Sequence, residues 1–403
     1  MRTPARRIAL LALLLLLTAC VPGSTAPTPP LVAPPANPGT PAIITASPTP
    51  FGRIAIAPTA APGAPPGPTS GPTSGVPARP PSAAPVPRSA APRDVKLTHD
   101  GCCPLPQWLP DSSGVYYYGN PSAGDGRRGT WRVPREGGPP QALSALAGGF
   151  SRDLSLVAYL ENGVAHLARP DGTPVGALGT AGARPHLAPT NDRVAWFVPA
   201  PGVPIVSVSL DPPVLVAVAR PEGAEARTLP AVFISETLQW FPDGRRLLVQ
   251  GRDSRAEHPG LWVLDTTTGT ATLILERPWL EMPLISPDGQ RIAYTATLQP
   301  DPAANGVWLV NADGSDPRRL PLTGGYRWTP DSAALLHLPA PTDRPTDELW
   351  RYTLATGAHI PLVTADQPPF AVAQDEWEIA PDGTAIAYRS ATDGAIHTLR
   401  FAP

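Results

Sequence analysis

Five polar side chains that could act on a ligand stand at one recurring place in the chain: Gln107, His186, Gln239, Arg327 and Glu378. Each sits immediately before a large apolar residue and three residues before a proline. All five can hydrogen-bond, and His186 with Glu378 could share acid–base work if a further acid converged on them. Side chains alternate along a strand, so this set points away from the apolar residues that follow it. If these strands are the innermost of a closed ring, the five border its central channel. The expectation is a polar channel mouth, with the holding of channel water as the plainer use of the same groups.

A hairpin copied seven times positions them. Two residues before the turn stand Trp108, Phe150, Leu187, Trp240, Ile285, Trp328 and Ile379. The turn opens on Pro110, Arg152, Pro189, Pro242, Pro287, Pro330 and Pro381, followed by Asp in every copy but one, where Thr190 stands. Proline presets φ at the second turn position, Asp accepts from backbone N–H groups ahead of it, and Gly244, Gly289 and Gly383 tolerate positive φ. Six residues past the Asp column comes another large column: Tyr117, Tyr159, Trp196, Val249, Tyr294, His337 and Tyr388. Further on, Trp131, His166, Trp262, Trp308, Trp350 and His397 fall in step, so His166, His337 and His397 read as packing residues. His99 and His359 carry no partner pattern.

Four antiparallel strands thus recur about every 44 residues, with no helical period. A sheet of that size cannot cover both its faces, whereas sheets packed face to face around an axis can. The fold expected is all-β: a seven-bladed β-propeller of four-stranded antiparallel blades over 94–403. The last copy has only three strands, and "DVKLTH" at 94–99 is expected to supply the fourth and close the ring. "VPIVSVSLDPPVLVAVA", from Val203, leaves the strands of the third copy open.

The stretches "WFPDG", "ISPDG", "WTPDS" and "IAPDG" resemble the WD40-like Pro-Asp repeats of TolB-type propellers. The resemblance spans 94–403 and is weakest in the second copy, where Arg152 replaces the proline, and in the third. It implies an extracytoplasmic propeller. TolB proper has an α/β domain ahead of its propeller and this chain has none there, which counts against the same envelope role.

The N-terminus predicts an address. Arg2, Arg6 and Arg7 precede an apolar run from Ile8 to Leu17, too short to span a bilayer but right for a secretory signal over 1–19. The ending Leu17-Thr18-Ala19-Cys20 resembles the lipobox of bacterial lipoproteins, which implies that Cys20 carries the lipid and becomes the mature N-terminus. Residues 20–93 read as a disordered, proline-rich linker: 22 of the 73 residues after Cys20 are Pro, and none is Lys, Asp or Glu. Extended, it reaches roughly 230 Å at ~3.1 Å per residue. "PTSGPTSG" at 68–75 is similar to O-glycosylated stalks. The expected location is extracytoplasmic, anchored by lipid to the bacterial membrane.

Seven arginines in the first 93 residues leave the ring with 24 Lys plus Arg against all 33 Asp plus Glu. An acidic body excludes nucleic acid and electrostatic docking on an anionic bilayer. Cys102 and Cys103 are read as free thiols or an incidental pair. No G-x-S-x-G, H-E-x-x-H, Walker loop or spaced Cys/His set occurs, so no catalytic residue, metal or cofactor is expected. "NADGSDP" at 311–317 lacks the glycine and closing Glu of a Ca²⁺ loop and reads as a turn. A second candidate surface is the rim of loops between the second and third strands. It carries Arg127, Arg128, Arg252, Arg255, His258, Asp301, Asp343, Arg344 and Asp347, which serve either binding or solubility. The function expected is non-enzymatic binding of a protein or glycan at the cell envelope by a monomer. The alternatives are a channel-mouth enzyme of lactonase or polysaccharide-cleaving type, and an envelope spacer without a small ligand.

Overall fold

The Pro-Asp turns close as their residues dictate. In Phe241-Pro242-Asp243-Gly244 the Gly244 N–H donates to the Phe241 carbonyl at 3.1 Å, and the Asp243 carboxylate accepts from the Arg245 and Arg246 N–H groups at 2.8 and 2.9 Å. The same closure recurs at Leu109–Ser112, Ser151–Leu154, Ala188–Asn191, Ser286–Gly289, Thr329–Ser332 and Ala380–Gly383. The fourth residue is left-handed each time, with φ between 59° at Ser332 and 73° at Gly383. At Gly244 the neighbouring turn adds a second reason, since a Cβ there would run into Thr190.

The computed structural model describes residues 91–403 apart from 104, 122–127, 201–212, 254–257, 340–345, 366, 368 and 402–403. The signal at 1–19, Cys20, the tether as far as residue 90 and the stretch 68–75 lie outside the described residues. Each turn leads from an inner strand to the next one out. Gln107–Trp108, Gly114–Gly119, Gly129–Pro134 and Gln141–Ser144 make the first four-stranded antiparallel sheet. The second runs from Gly149–Phe150 to Pro174–Leu178, another from Leu280–Ile285 to Arg318–Arg319, and the next from Gly325–Trp328 to His359–Val363. The last joins Val372–Ile379, Ala385–Ser390 and Ile396–Arg400 to the strand Arg93–Lys96, in the register Asp94 opposite Leu399.

The sheets overturn the expected seven-bladed ring of four-stranded blades. Five are four-stranded, but a single seven-stranded sheet runs from His186–Leu187 to Ala271–Glu276. The cause is the unbroken 14-residue strand Arg227–Trp240. Its first half pairs with Val214–Ala219 and its second half with Arg246–Arg252. No Gly, Asn or Asp occurs along it to turn the chain, and neither Pro230 nor the register shifts in its two pairings end it, so one strand serves two partners in succession.

The two large columns face each other as cross-strand partners. Tyr117 lies opposite Trp131, Tyr159 opposite His166, Val249 opposite Trp262, Tyr294 opposite Trp308, His337 opposite Trp350 and Tyr388 opposite His397. The core lies between sheets. Leu336, Leu338 and Leu349 of one sheet pack with Trp377, Ile386 and Tyr388 of the next, and Val115 and Val133 pack with Ala385 and Ile396. Each fully buried large apolar side chain contributes about 1.5–3 kcal/mol, which a lone sheet could not collect. Cys102 and Cys103 are joined in a disulfide between neighbours, which corrects the preference for free thiols.

Candidate functional site

Two adjoining cavities of 520 and 680 Å³ occupy the channel between the inner strands. They share Arg152, Gln239, Ile285, Pro287 and Pro381. Pro110, Pro189 and Pro242 border the first and Pro330 the second, so every residue of the turn column reaches the channel. The turns themselves pack in series around this end. The Ser112 hydroxyl accepts from the Asp382 N–H at 2.9 Å, and Ser332 does the same for Asp288 at 2.9 Å.

The predicted inner set divides by what each side chain does. Gln107, Gln239, Arg327 and Glu378 line the two cavities, whereas His186 lines a third of 380 Å³ that adjoins the first at Phe150, Leu187, Gln239 and Trp240. Gln239 donates to the Pro283 carbonyl at 2.6 Å and so ties its strand to the next sheet. Arg327 is wholly invested in its neighbour. It donates to the Trp377, Tyr326 and Asp375 carbonyls at 3.1, 2.8 and 2.8 Å, pairs with the Asp375 carboxylate at 3.1 Å, and lies over the Trp377 ring. Gln107 accepts from the Tyr116 phenol, which burial pushes up to about 12.

Glu378 differs from these. Its surface is open to the channel, and its carboxylate has no hydrogen-bond partner among the described residues. Burial, the first cause, and the charge of Asp375 raise its pKa, with Arg327 opposing. His186 is pulled the other way: burial first, then the Arg184 charge, lowers its pKa. Its main tie is through the backbone, where its carbonyl accepts from Trp240 Nε1 at 2.8 Å. The same stitch recurs from Trp108 to the Glu378 carbonyl at 3.1 Å and from Trp328 to the Leu284 carbonyl at 3.0 Å.

The loop set is described only in part. Arg127, Arg255, Asp343 and Arg344 lie outside the described residues, and Arg252 and His258 line none of these cavities. His258 gives its backbone N–H to Glu276 at 3.2 Å, and Asp301 caps a short 3₁₀ turn by accepting from Ala303 at 2.9 Å. Asp347 accepts from the Val372 N–H at 2.7 Å.

Two histidines do more than the columns imply. His337 Nε2 and His359 Nε2 share a hydrogen bond at 2.7 Å, and burial pushes His337 down to about 4. His359 therefore has a partner, and it also packs against Trp350 and Tyr352. Among the described residues no three His, Cys, Asp or Glu gather to hold a metal. His186 and Glu378, the pair an enzyme reading would need together, line different cavities.

One residue at the channel was visible only as a misfit. Arg152 breaks the proline column, is exposed, and lines both cavities. Its signal in the sequence was the departure itself.

This architecture defines a β-propeller with four-stranded antiparallel blades. No family model matches the chain, and no curated protein matches it. Among solved structures it is similar to an oligogalacturonate lyase in complex with manganese, at a TM-score of 0.55 and 12% identity over 77% of this chain and 91% of that one. An oligogalacturonate lyase from Vibrio parahaemolyticus matches at 0.55 and 12% over 76% and 91%. TolB from Acinetobacter baumannii is also among the neighbours, with 16% identity over 60% of this chain and 67% of its own and a TM-score of 0.35. At these identities the likeness to the lyases shows the fold and nothing about the reaction.

Proposed function

We propose that the protein is an extracytoplasmic binding protein, exported by the signal at 1–19 and held to the bacterial membrane by a lipid on Cys20. On this reading residues 20–93 carry the propeller away from the bilayer, and the channel recognises a protein or glycan without chemistry. The observation that carries the binding reading is the pair of adjoining channel cavities. They fall in the size range of small-ligand sites and hold Glu378, a polar side chain the fold does not use.

Two measurements test it. Fatty-acid labelling should mark the wild-type chain and not Cys20→Ser. Glycan and peptide arrays probed with the whole protein should return a saturable ligand whose affinity falls about tenfold in Glu378→Gln, as expected for a lost hydrogen bond to a charged group. A ligand indifferent to Glu378, Gln107 and Gln239 together would move the site off the channel.

A second reading, a channel enzyme, draws on the raised carboxyl of Glu378, which suits a general acid. Turnover of an acidic or neutral oligosaccharide, abolished in Glu378→Gln, would establish it over simple binding.

A further inference from the structure

We infer that Arg152 makes the channel an anion site whose ligand presents a carboxylate on a small, hydroxyl-bearing body. This rests on the binding reading and specifies the chemistry of its ligand.

The turn does not need the guanidinium. Proline serves at this position in the other six copies, and the turn at Arg152 closes like the rest: Leu154 N–H donates to the Ser151 carbonyl at 2.9 Å and Asp153 accepts from Ser155 at 3.0 Å. Replacing a compatible proline gives up about 0.4–1 kcal/mol through the unfolded chain, so the arginine stands there at some cost to stability. No hydrogen bond or ion pair to its side chain exists among the described residues. Several arginines elsewhere on the ring are engaged, Arg135 with Asp382 at 2.6 Å, Arg193 with Glu225 at 2.6 Å, Arg245 with Asp265 at 3.0 Å and Arg327 with Asp375 at 3.1 Å, whereas Arg152 is unpaired where it lines the channel.

The surroundings sharpen the charge. Among the described residues Arg152 is the only cationic side chain lining the first cavity, and the one other titratable group there, the Tyr116 phenol, is neutral. Trp108, Phe150, Leu187 and Trp240 form low-dielectric walls that focus the field of a lone cation. A guanidinium also matches a carboxylate in a bidentate fork. Arg152 and the Gln239 amide line the stretch shared by both cavities, and the second cavity adds Glu378 and the Asp375-paired Arg327. The Glu378 carboxyl, without a partner of its own among the described residues, can bond a hydroxyl. A ligand filling the two cavities would meet a cation, an amide and a carboxyl, which fits a body that carries both a carboxylate and hydroxyls.

Three matched probes test this on the full chain: glucuronate, glucose and glucosamine, which share a ring and differ in charge. Glucuronate should bind about tenfold or more tighter than glucose, the worth of a hydrogen bond to a charged group, and should weaken as salt is raised. Arg152→Gln should remove that preference, and Arg152→Lys should restore part of it. Arg152→Pro, which installs the residue of the other six turns, should also remove it while leaving the thermal midpoint unchanged or higher. Equal binding of glucose, a preference for glucosamine, an unaltered preference in both charge-removing variants, or no binding of glucuronate would each overturn the assignment. The Glu378→Gln array result judges the binding reading separately.

Discussion

His397 Nδ1 stands 2.9 Å from Asp94 Oδ2, so side chains as well as the backbone ladder join the strand Arg93–Lys96 to the strand Ile396–Arg400. Asp393 approaches the other ring nitrogen at 3.3 Å and also pairs with Lys96 at 2.7 Å, while Tyr388 donates to Asp94 at 2.9 Å. Asp100 completes the cluster through Lys96.

This seam makes stability fall as pH rises through neutrality. Burial works to lower the His397 pKa, but Asp94 and Asp393 outweigh it and hold the ring above its ordinary 6.5. A raised folded pKa adds stability that is complete below the unfolded value and is lost as pH climbs through the folded one. The thermal midpoint should therefore drop by a few degrees between about pH 6 and pH 8. His397→Gln should flatten that decline. Parallel profiles for the two proteins would show that the seam is not its source.

Removing one indole N–H should loosen a junction between inner strands. Trp240→Phe keeps an aromatic ring but leaves the His186 carbonyl without its donor, at a cost of about 1–2 kcal/mol. Urea unfolding should show a lower midpoint at constant slope. An unmoved midpoint would mean that water takes the indole's place.

The turn carboxylates govern the acid limb. Burial tends to raise the Asp243 pKa, but the N–H groups of Arg246 and Arg245 prevail and lower it, and the same contest brings Asp153 to about 2. A depressed folded pKa gives stability that is present above the unfolded value and lost as pH falls through the folded one. Asp243→Ala should therefore lower the midpoint at pH 7 by a few degrees and shrink the difference between pH 7 and about pH 3. Equal losses at both pH values would argue that shape, not charge, is what Asp243 supplies.

Gly325 is required by its neighbour in the adjoining sheet. A Cβ there would overlap the Asp375 carboxylate that pairs with Arg327. Gly325→Ala and Asp375→Ala should each destabilise by about 1–3 kcal/mol, and the double variant by clearly less than the sum. Strict additivity in denaturant melts would rule out the shared mechanism.

Reduction of Cys102–Cys103 should leave stability nearly unchanged. Neighbouring residues enclose no loop, so the bond removes little entropy from the unfolded chain. Midpoints with and without reductant should agree within about 2 °C, and a larger drop would mean that the ring holds Cys102 in the core.

The repeats were legible because period-2 alternation and turn chemistry are local. Tyr117 and Trp131, or Tyr294 and Trp308, could be paired by counting from their Pro-Asp turns. Where the pattern depended on an absent turn it failed: nothing between Arg227 and Trp240 announces a strand shared by two partners, and Pro230 counts against a single strand there. The channel set was legible as a face but not as a reach. Alternation gives the side on which Arg327 and Gln239 emerge, yet their length carries them to the Asp375 and Pro283 carbonyls of the following strands. Arg152 was legible only against its six proline counterparts, and the His337–His359 bond had no local mark, because its partners are 22 residues apart.

The double-length strand also bears on how the molecule opens. Elsewhere adjoining sheets meet through side chains and turns, and one can fray while the next stays shut. The span from Val214–Ala219 through Arg227–Trp240 to Arg246–Arg252 hangs on one shared strand and admits less such independence. That span should exchange its amide hydrogens as one cooperative block, slower than the ends of the other sheets, and act as the anvil against which the remainder of the circle breathes.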